Sequence, residues 1–182
     1  MVKMFKGEKE VMKKIGEFKN FYHKVKGKAK QEHIPDLEIK GIYLGLRINV
    51  GTRDGKTIDM LYYYDLDEKK IMIITVPIIL GKFKYAIKAR SLRKFDLFTI
   101  KYLGKEISDK TLYEYNNYEV KFYDFEDNTD IVTEELINKI EEEVPENYWD
   151  LFRDSEEELL GDKSPLRSDV EVEDIPEIKE FN

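Results

Sequence analysis

The sequence predicts an α+β fold: a curved antiparallel β-sheet or small barrel of about six strands, with an N-terminal amphipathic helix and C-terminal acidic helices. Three observations predict it. Between residues 37 and 122, short apolar segments alternate with polar residues and are joined by brief turns, the pattern of an antiparallel meander. On either side of that stretch, apolar residues recur at helical spacing instead. Charge divides along similar lines: residues 1–121 carry 26 Lys and Arg against 16 Asp and Glu, and residues 122–182 carry 5 against 22. A chain of 182 residues is long enough for one domain with a real core. It reads as three parts: an N-terminal helix plus basic β core over 1–125, an acidic helical segment packed on it over 126–161, and a flexible acidic tail over 162–182.

Taken in order, Gly7 to Lys28 predicts the first helix, because Val11, Ile15, Phe18, Tyr22 and Val25 recur every three or four residues. After a polar link through Pro35, Leu37 to Val50 reads as a long strand. Ile42, Leu44, Leu46, Ile48 and Val50 share one face, and Tyr43, Arg47 and Asn49 share the other. Leu37 and Ile39 have the opposite parity, which places a bulge or bend near Gly41. Gly51 to Gly55 carries the Asp-Gly hairpin signal, and the return strand runs from Thr57 to Leu66. A second turn, Asp65 to Lys69, leads into Ile71–Leu80, whose unbroken hydrophobicity predicts a central strand with an irregularity at Pro77. Gly81 turns the chain into a basic strand, Lys82–Arg90, where Phe83, Tyr85, Ile87 and Ala89 alternate with Lys82, Lys84, Lys88 and Arg90. Strands around Phe95–Leu103 and Leu112–Phe122 complete the sheet. Ile131, Leu136, Ile140 and Val144 then predict a helix that starts at Asn128/Thr129 or Thr133 and stops before Pro145. Asn147 to Leu160 predicts another, with Tyr148, Trp149, Leu151 and Phe152 apolar and Gly161 as its stop.

The basic strand carries the most chemistry. Residues 82–105 hold eight cations opposed by Asp96 alone, a surface that suits either an anion or plain solvation. Lys and Arg that neutralise phosphate supply most non-specific nucleic-acid affinity, and aromatic rings on a sheet stack unpaired bases of any sequence. The expectation is therefore a non-catalytic nucleic-acid-binding protein, acting on single-stranded DNA or RNA with weak sequence preference. Lys82, Lys84, Lys88, Arg90, Arg93, Lys94 and Arg47 would meet phosphate, and Tyr43 and Tyr63 would stack on bases. The alternative is a structural or protein–protein module, such as a virion, scaffold or inhibitor component. It would dock through its acidic helices and basic sheet face, using Trp149, Phe152, Asp174 and Phe181, and its partners include further copies of the chain.

Two short stretches resemble known motifs. Val170–Asn182, VEVEDIPEIKEFN, resembles in kind the acidic tails of bacterial and phage single-stranded DNA-binding proteins, although Lys179 and Asn182 interrupt an acidic-aromatic ending. That resemblance implies a tail that competes with nucleic acid for the basic core and recruits other proteins. Pro35 to Lys40 resembles the metal-dependent nuclease motif in miniature, but Asp36, Glu38 and Lys40 are alternate residues of one strand, where that family separates its two halves by a strand and turn. The absence of cysteine excludes disulfides and thiolate metal sites. His23 and His33 are the only histidines and lack ligand spacing, and no Walker loop, GxGxxG or GxSxG is present, so no enzyme, cofactor or metal is expected. The longest apolar run, Ile71–Leu80, falls well short of the roughly twenty residues of a membrane span. A cytoplasmic protein, or one working within an infected host cell, is expected, with no membrane partner. The Lys-, Glu-, Ile- and Tyr-rich composition is compatible with a thermophile or an AT-rich genome.

Overall fold

A computed structural model describes residues 13–161 of the chain. Its strands are β1 (Glu17–Phe18), β2 (Tyr22–Lys24), β3 (Gln31–His33), β4 (Glu38–Gly51), β5 (Thr57–Asp65), β6 (Lys70–Ile74), β7 (Leu97–Ile107) and β8 (Glu114–Tyr123). Its α-helices are α1 (Pro77–Lys88), α2 (Glu134–Glu143) and α3 (Glu146–Gly161), with a 3-10 turn at Phe125–Asp127. Six strands form one open sheet in the order β1-β6-β5-β4-β7-β8, while β2 and β3 pair separately as a hairpin. The sheet is mixed, since β1 runs parallel to β6 and every other pairing is antiparallel.

The sheet is buried on both faces because its central strands present large apolar residues in both directions. On one side Ile79, Leu80, Phe83, Ala86 and Ile87 of α1 meet Tyr43, Leu46, Leu61, Tyr63, Phe98 and Ile100. On the other, Val132, Ile140, Val144, Tyr148 and Phe152 meet Ile42, Leu44, Tyr62, Tyr64, Ile71 and Ile73. The run Tyr62-Tyr63-Tyr64 therefore contributes alternately to two cores.

A register shift in β4 positions α3. Pairing with β5 skips between Tyr43 and Gly45, so Tyr43 and Leu46 face α1 while Ile42 and Leu44 face α2 and α3. A β-carbon on Gly45 would lie 2.2 Å from Phe152 Cγ, so only glycine lets the helix approach this closely. Beyond this point β4 leaves β7, whose last paired residue is Leu97 opposite Ile42. Along the vacated edge of β4 lies α3, where Ser155 Oγ accepts from Ile48 N–H at 3.3 Å and Glu156 Oε1 accepts from the Tyr43 hydroxyl at 2.8 Å. An edge that would otherwise be open to another strand is covered by a helix.

Several expectations are corrected. The predicted helix over Gly7–Lys28 is not formed in its described part, residues 13–28, which make β1, β2 and turns; residues 7–12 lie outside the described residues. Gly16 and Gly27 sit at φ 81° and 85°, a left-handed backbone that interrupts any helix through this segment. The sheet is open and mixed, not a closed barrel and not wholly antiparallel. The bulge falls at Tyr43/Gly45, beyond Gly41. The strand Ile71–Leu80 ends at Ile74, and the basic strand Lys82–Arg90 does not exist: Pro77 opens α1, which continues through Lys88. The apolar residues of that segment satisfy period two locally, but Ile79, Leu80, Phe83, Ala86 and Ile87 also form a full helical stripe, and the helix buries all five. The two C-terminal helices form where expected, with Thr133 as the cap of α2, its Oγ1 accepting from Leu136 N–H at 3.2 Å.

Candidate nucleic-acid interface

The helical course of residues 77–88 disperses the cations that a strand would have aligned. Lys82 is 2% exposed, and its ammonium donates to the backbone oxygen of Tyr118 on the edge strand β8 at 2.5 Å. Lys84 pairs with Asp59, and Lys88 is half-buried. Arg90 is exposed just past the end of α1. Arg93 reaches Glu126 at 3.2 Å and Asp124 at 3.4 Å and lies over the Phe125 ring. Lys94 lies over the rings of Trp149 and Phe95, at 4.5 and 5.0 Å from their centroids. Arg47 lies over Tyr148 on the other side of the sheet from α1. These groups do not gather into one exposed basic face.

The two proposed stacking residues are also displaced. Tyr43 and Tyr63 are fully buried, so neither ring offers a face to a base. Burial raises both hydroxyl pKa values, reinforced by Glu156 beside Tyr43 and Asp65 beside Tyr63. Phe152 is buried against Gly45, and Trp149 is half-buried in a ring cluster with Phe95 and Phe152. Asp174 and Phe181 lie outside the described residues.

A different surface combines exposed cations with aromatic rings, and it is built by residues 21–33, part of which the apolar spacing predicts to be helical. In the β2–β3 hairpin Lys28 N–H bonds Val25 O at 3.1 Å, and Gly27 supplies the positive φ of the third turn position. This turn leaves Lys24, Lys26, Lys28 and Lys30 exposed within seven residues. Lys28 pairs with Glu32, whose carboxyl it holds below the usual range. Among the described residues Lys24, Lys26, Lys30 and the nearby Lys105 of β7 form no ion pair. Four lysines at every second position around a glycine, flanked by Tyr22 and His33, are the sequence signal of this hairpin.

The hairpin is fastened to the β7–β8 arm by a polar-aromatic cluster. Phe21 is buried in the α1-side core. His33 stacks on Tyr102 with centroids 3.6 Å apart and meets Tyr22 edge-on at 5.3 Å. Asn116 accepts from the Tyr102 hydroxyl at 2.8 Å and donates to the Tyr22 hydroxyl at 3.1 Å. The ring of His33 is fixed as one tautomer. The Ile34 carbonyl, 2.8 Å from Nδ1, can only accept, so Nδ1 carries the proton and Nε2 accepts from the Tyr118 hydroxyl at 2.6 Å. Burial lowers the His33 pKa, partly offset by the Ile34 bond, and raises that of Tyr118. Tyr22 remains 40% exposed, and Tyr113 at the tip of the arm is 76% exposed.

The rest of the described chain is acidic: residues 124–161, which include α2 on the opposite face of the sheet and α3 along the β4 edge, carry 15 Asp and Glu against one Lys and one Arg. Among the described residues no helix is long and apolar enough to cross a membrane. The fold is thus an open mixed sheet between helices, bearing a basic hairpin on one face, acidic α2 on the other and acidic α3 along the β4 edge. Comparison with protein-family models, with curated proteins and with solved structures finds no match to this chain.

Proposed function

We propose that the chain is a non-catalytic nucleic-acid-binding protein that takes single-stranded DNA or RNA with weak sequence preference through the β2–β3 hairpin and the adjoining β7–β8 arm. The observation that carries this reading is the exposed set Lys24, Lys26, Lys28 and Lys30 beside the exposed ring of Tyr22. Lysines neutralise phosphates without reading sequence, and a tyrosine stacks on any base. The cluster of His33, Tyr102, Tyr118 and Asn116 gives the hairpin a fixed seat, so the cations are presented in one orientation. The acidic segment from Asp162 to Asn182, with seven Asp and Glu, competes with nucleic acid for the same cations.

The test is fluorescence anisotropy of labelled oligo-dT with the full chain and with a chain ending at Gly161. Binding through four lysines predicts a log–log salt slope of about −3. Removal of the acidic segment tightens binding. A chain that leaves oligo-dT free at low salt in both forms is not a nucleic-acid-binding protein. A second reading, a protein–protein module, is favoured by the acidic helices, α2 on the face opposite the hairpin and α3 along the β4 edge. It predicts salt-sensitive association with a basic protein in the absence of nucleic acid.

A further inference from the structure

The turn between β5 and β6 faces the first turns of α2 across a cleft of about 470 Å³, within the size range of small-molecule sites. Both walls are fixed. Asp65, 1% exposed, accepts from the N–H groups of Asp67 and Glu68 at 2.9 Å each and so holds the turn that carries Lys69. The other wall is held by Val132, Ile140 and Val144 in the core and by the Thr133 cap. Leu66 and Leu136 supply apolar lining, and Lys69, Lys139 and Glu135 supply charge.

Tyr64 lines this cleft, and while its ring packs in the core its hydroxyl is the group the fold does not otherwise use. It is 3% exposed, its ring lies 5.7 Å from the Lys139 ammonium, and its hydroxyl has no hydrogen-bond partner among the described residues. No fully buried side-chain polar atom among those residues lacks a partner, so this hydroxyl keeps access to solvent, and the cleft is the opening that Tyr64 lines. The N-terminus of α2 borders the same space through Thr133 and Glu135. There Thr133 occupies the Leu136 N–H, and the N–H groups of Glu134 and Glu135 precede the first intrahelical acceptor. A free hydroxyl donor, Lys69, Lys139 and a helix N-terminus border one apolar slot.

We propose that this cleft binds a small organic acid, a carboxylate or phosphate monoester on a compact apolar body. Its anionic oxygens take the Tyr64 hydroxyl, Lys69 and Lys139, and its apolar part lies between Leu66 and Leu136. Glu135 opposes the anion and sets a ceiling on affinity, which makes it a second handle on the site.

The test is NMR titration of the ¹⁵N-labelled full chain with benzoate, phenyl phosphate and inorganic phosphate, with benzyl alcohol as the uncharged control. Saturable shifts centred on the amides of Lys69, Glu134 and Glu135 are expected with benzoate or phenyl phosphate, and the stronger of the two decides between carboxylate and phosphate. Inorganic phosphate and benzyl alcohol, each lacking half of the recognised chemistry, bind at least about fivefold more weakly. Tyr64→Phe keeps the buried ring and weakens binding about fivefold, as expected for one hydrogen bond. Glu135→Gln, at an exposed position, tightens it about threefold by removing an opposing charge. The proposal is overturned if neither organic acid gives saturable shifts up to about 10 mM, a free energy too small for a specific site. It is equally overturned if Tyr64→Phe and Glu135→Gln both bind like the parent.

Discussion

The lysines of α1, three in twelve residues, and those of the β2–β3 hairpin, four in twelve, are opposite in fate. Lys82 lies on the helix stripe with Ile79, Phe83 and Ala86, so its stem runs through the core and its ammonium ends on a carbonyl at the sheet edge. Lys84, two residues on, points elsewhere and pairs with Asp59. In the hairpin, by contrast, the exposed turn leaves Lys24, Lys26, Lys28 and Lys30 all in solvent. The difference teaches that a run of cations becomes a basic surface only where the backbone brings every one of them to solvent. A helix divides the same run between core, partner and solvent.

Removing the buried member should have the largest effect. Lys82→Ala leaves the Tyr118 carbonyl without its donor and opens space in a packed layer, which costs about 2–4 kcal/mol in urea unfolding. Its affinity for oligo-dT, measured well below the unfolding transition, should match the parent. A variant as stable as the parent but weaker in binding would reverse the comparison and return α1 to the interface.

The hairpin lysines should behave the other way. Lys24→Gln/Lys26→Gln/Lys30→Gln touches exposed, unpaired side chains and should change stability by less than about 0.5 kcal/mol per site. In anisotropy titrations, the log–log salt slope should shrink by about 2, with affinity falling tenfold or more at low salt. An unchanged slope would place the phosphate contacts elsewhere on the molecule.

A smaller effect is expected at the seam that joins hairpin to body. Because burial lowers the His33 pKa from its ordinary value near 6.5, neutral His33 favours the folded, docked state. Its contribution is complete above about pH 6.5, and is lost as pH falls through the depressed folded value. Glu32 beside Lys28, His23 opposite Glu32 in the hairpin, Lys105 on β7, and the hydroxyls of Tyr22, Tyr102 and Tyr118 are the ionisable groups around it. Protection of the β2–β3 amides from hydrogen exchange, measured relative to the intrinsic rate at each pH, should therefore fall between neutral pH and pH 5. His33→Gln should abolish that extra dependence, and an identical profile in the variant would remove His33 from the docking seam.

What the sequence made legible follows from which physical signal was local. β4, the Asp-Gly turn, β5, β7 and β8 carry alternation and turn residues that admit no helix; Pro145 marks the end of α2, while its start is open between Asn128/Thr129 and Thr133 until the structure shows the Thr133 cap. Residues 71–90 were not resolved by local pattern, because an apolar run followed by Phe83, Tyr85 and Ile87 satisfies both periods. Pro77 decided it, since proline is out of place inside a central strand and favourable at the first position of a helix. Residues 13–28 mislead for the reverse reason: a helical stripe through Ile15, Phe18, Tyr22 and Val25 runs across Gly16, whose left-handed backbone outweighs it. The aromatic seat of His33 joins residues 85 positions apart along the chain, a pairing that only the topology creates. The candidate interface depends on that pairing, although its lysines are plain in the sequence.

Arg90 offers the finest test of the same contrast. It follows the end of α1, where Arg90 N–H bonds Ile87 O and Ser91 N–H bonds Ala86 O, both at 2.9 Å, the paired bonds that close a helix around a left-handed residue. That residue is normally glycine, yet here it is arginine at φ 57°. Arg90→Gly relieves the strained conformation while giving back part of the gain through a freer unfolded chain, so stability should rise by about 0.5–1 kcal/mol. If α1 took part in the interface, deletion of this exposed cation would weaken oligo-dT binding in step with a hairpin lysine. Unfolding midpoint and salt slope should instead separate, with the midpoint moving up and the slope unmoved. A fall in stability would show that the Arg90 side chain makes a contact worth more than its backbone strain, and a shallower salt slope would restore this end of α1 to the surface that meets phosphate.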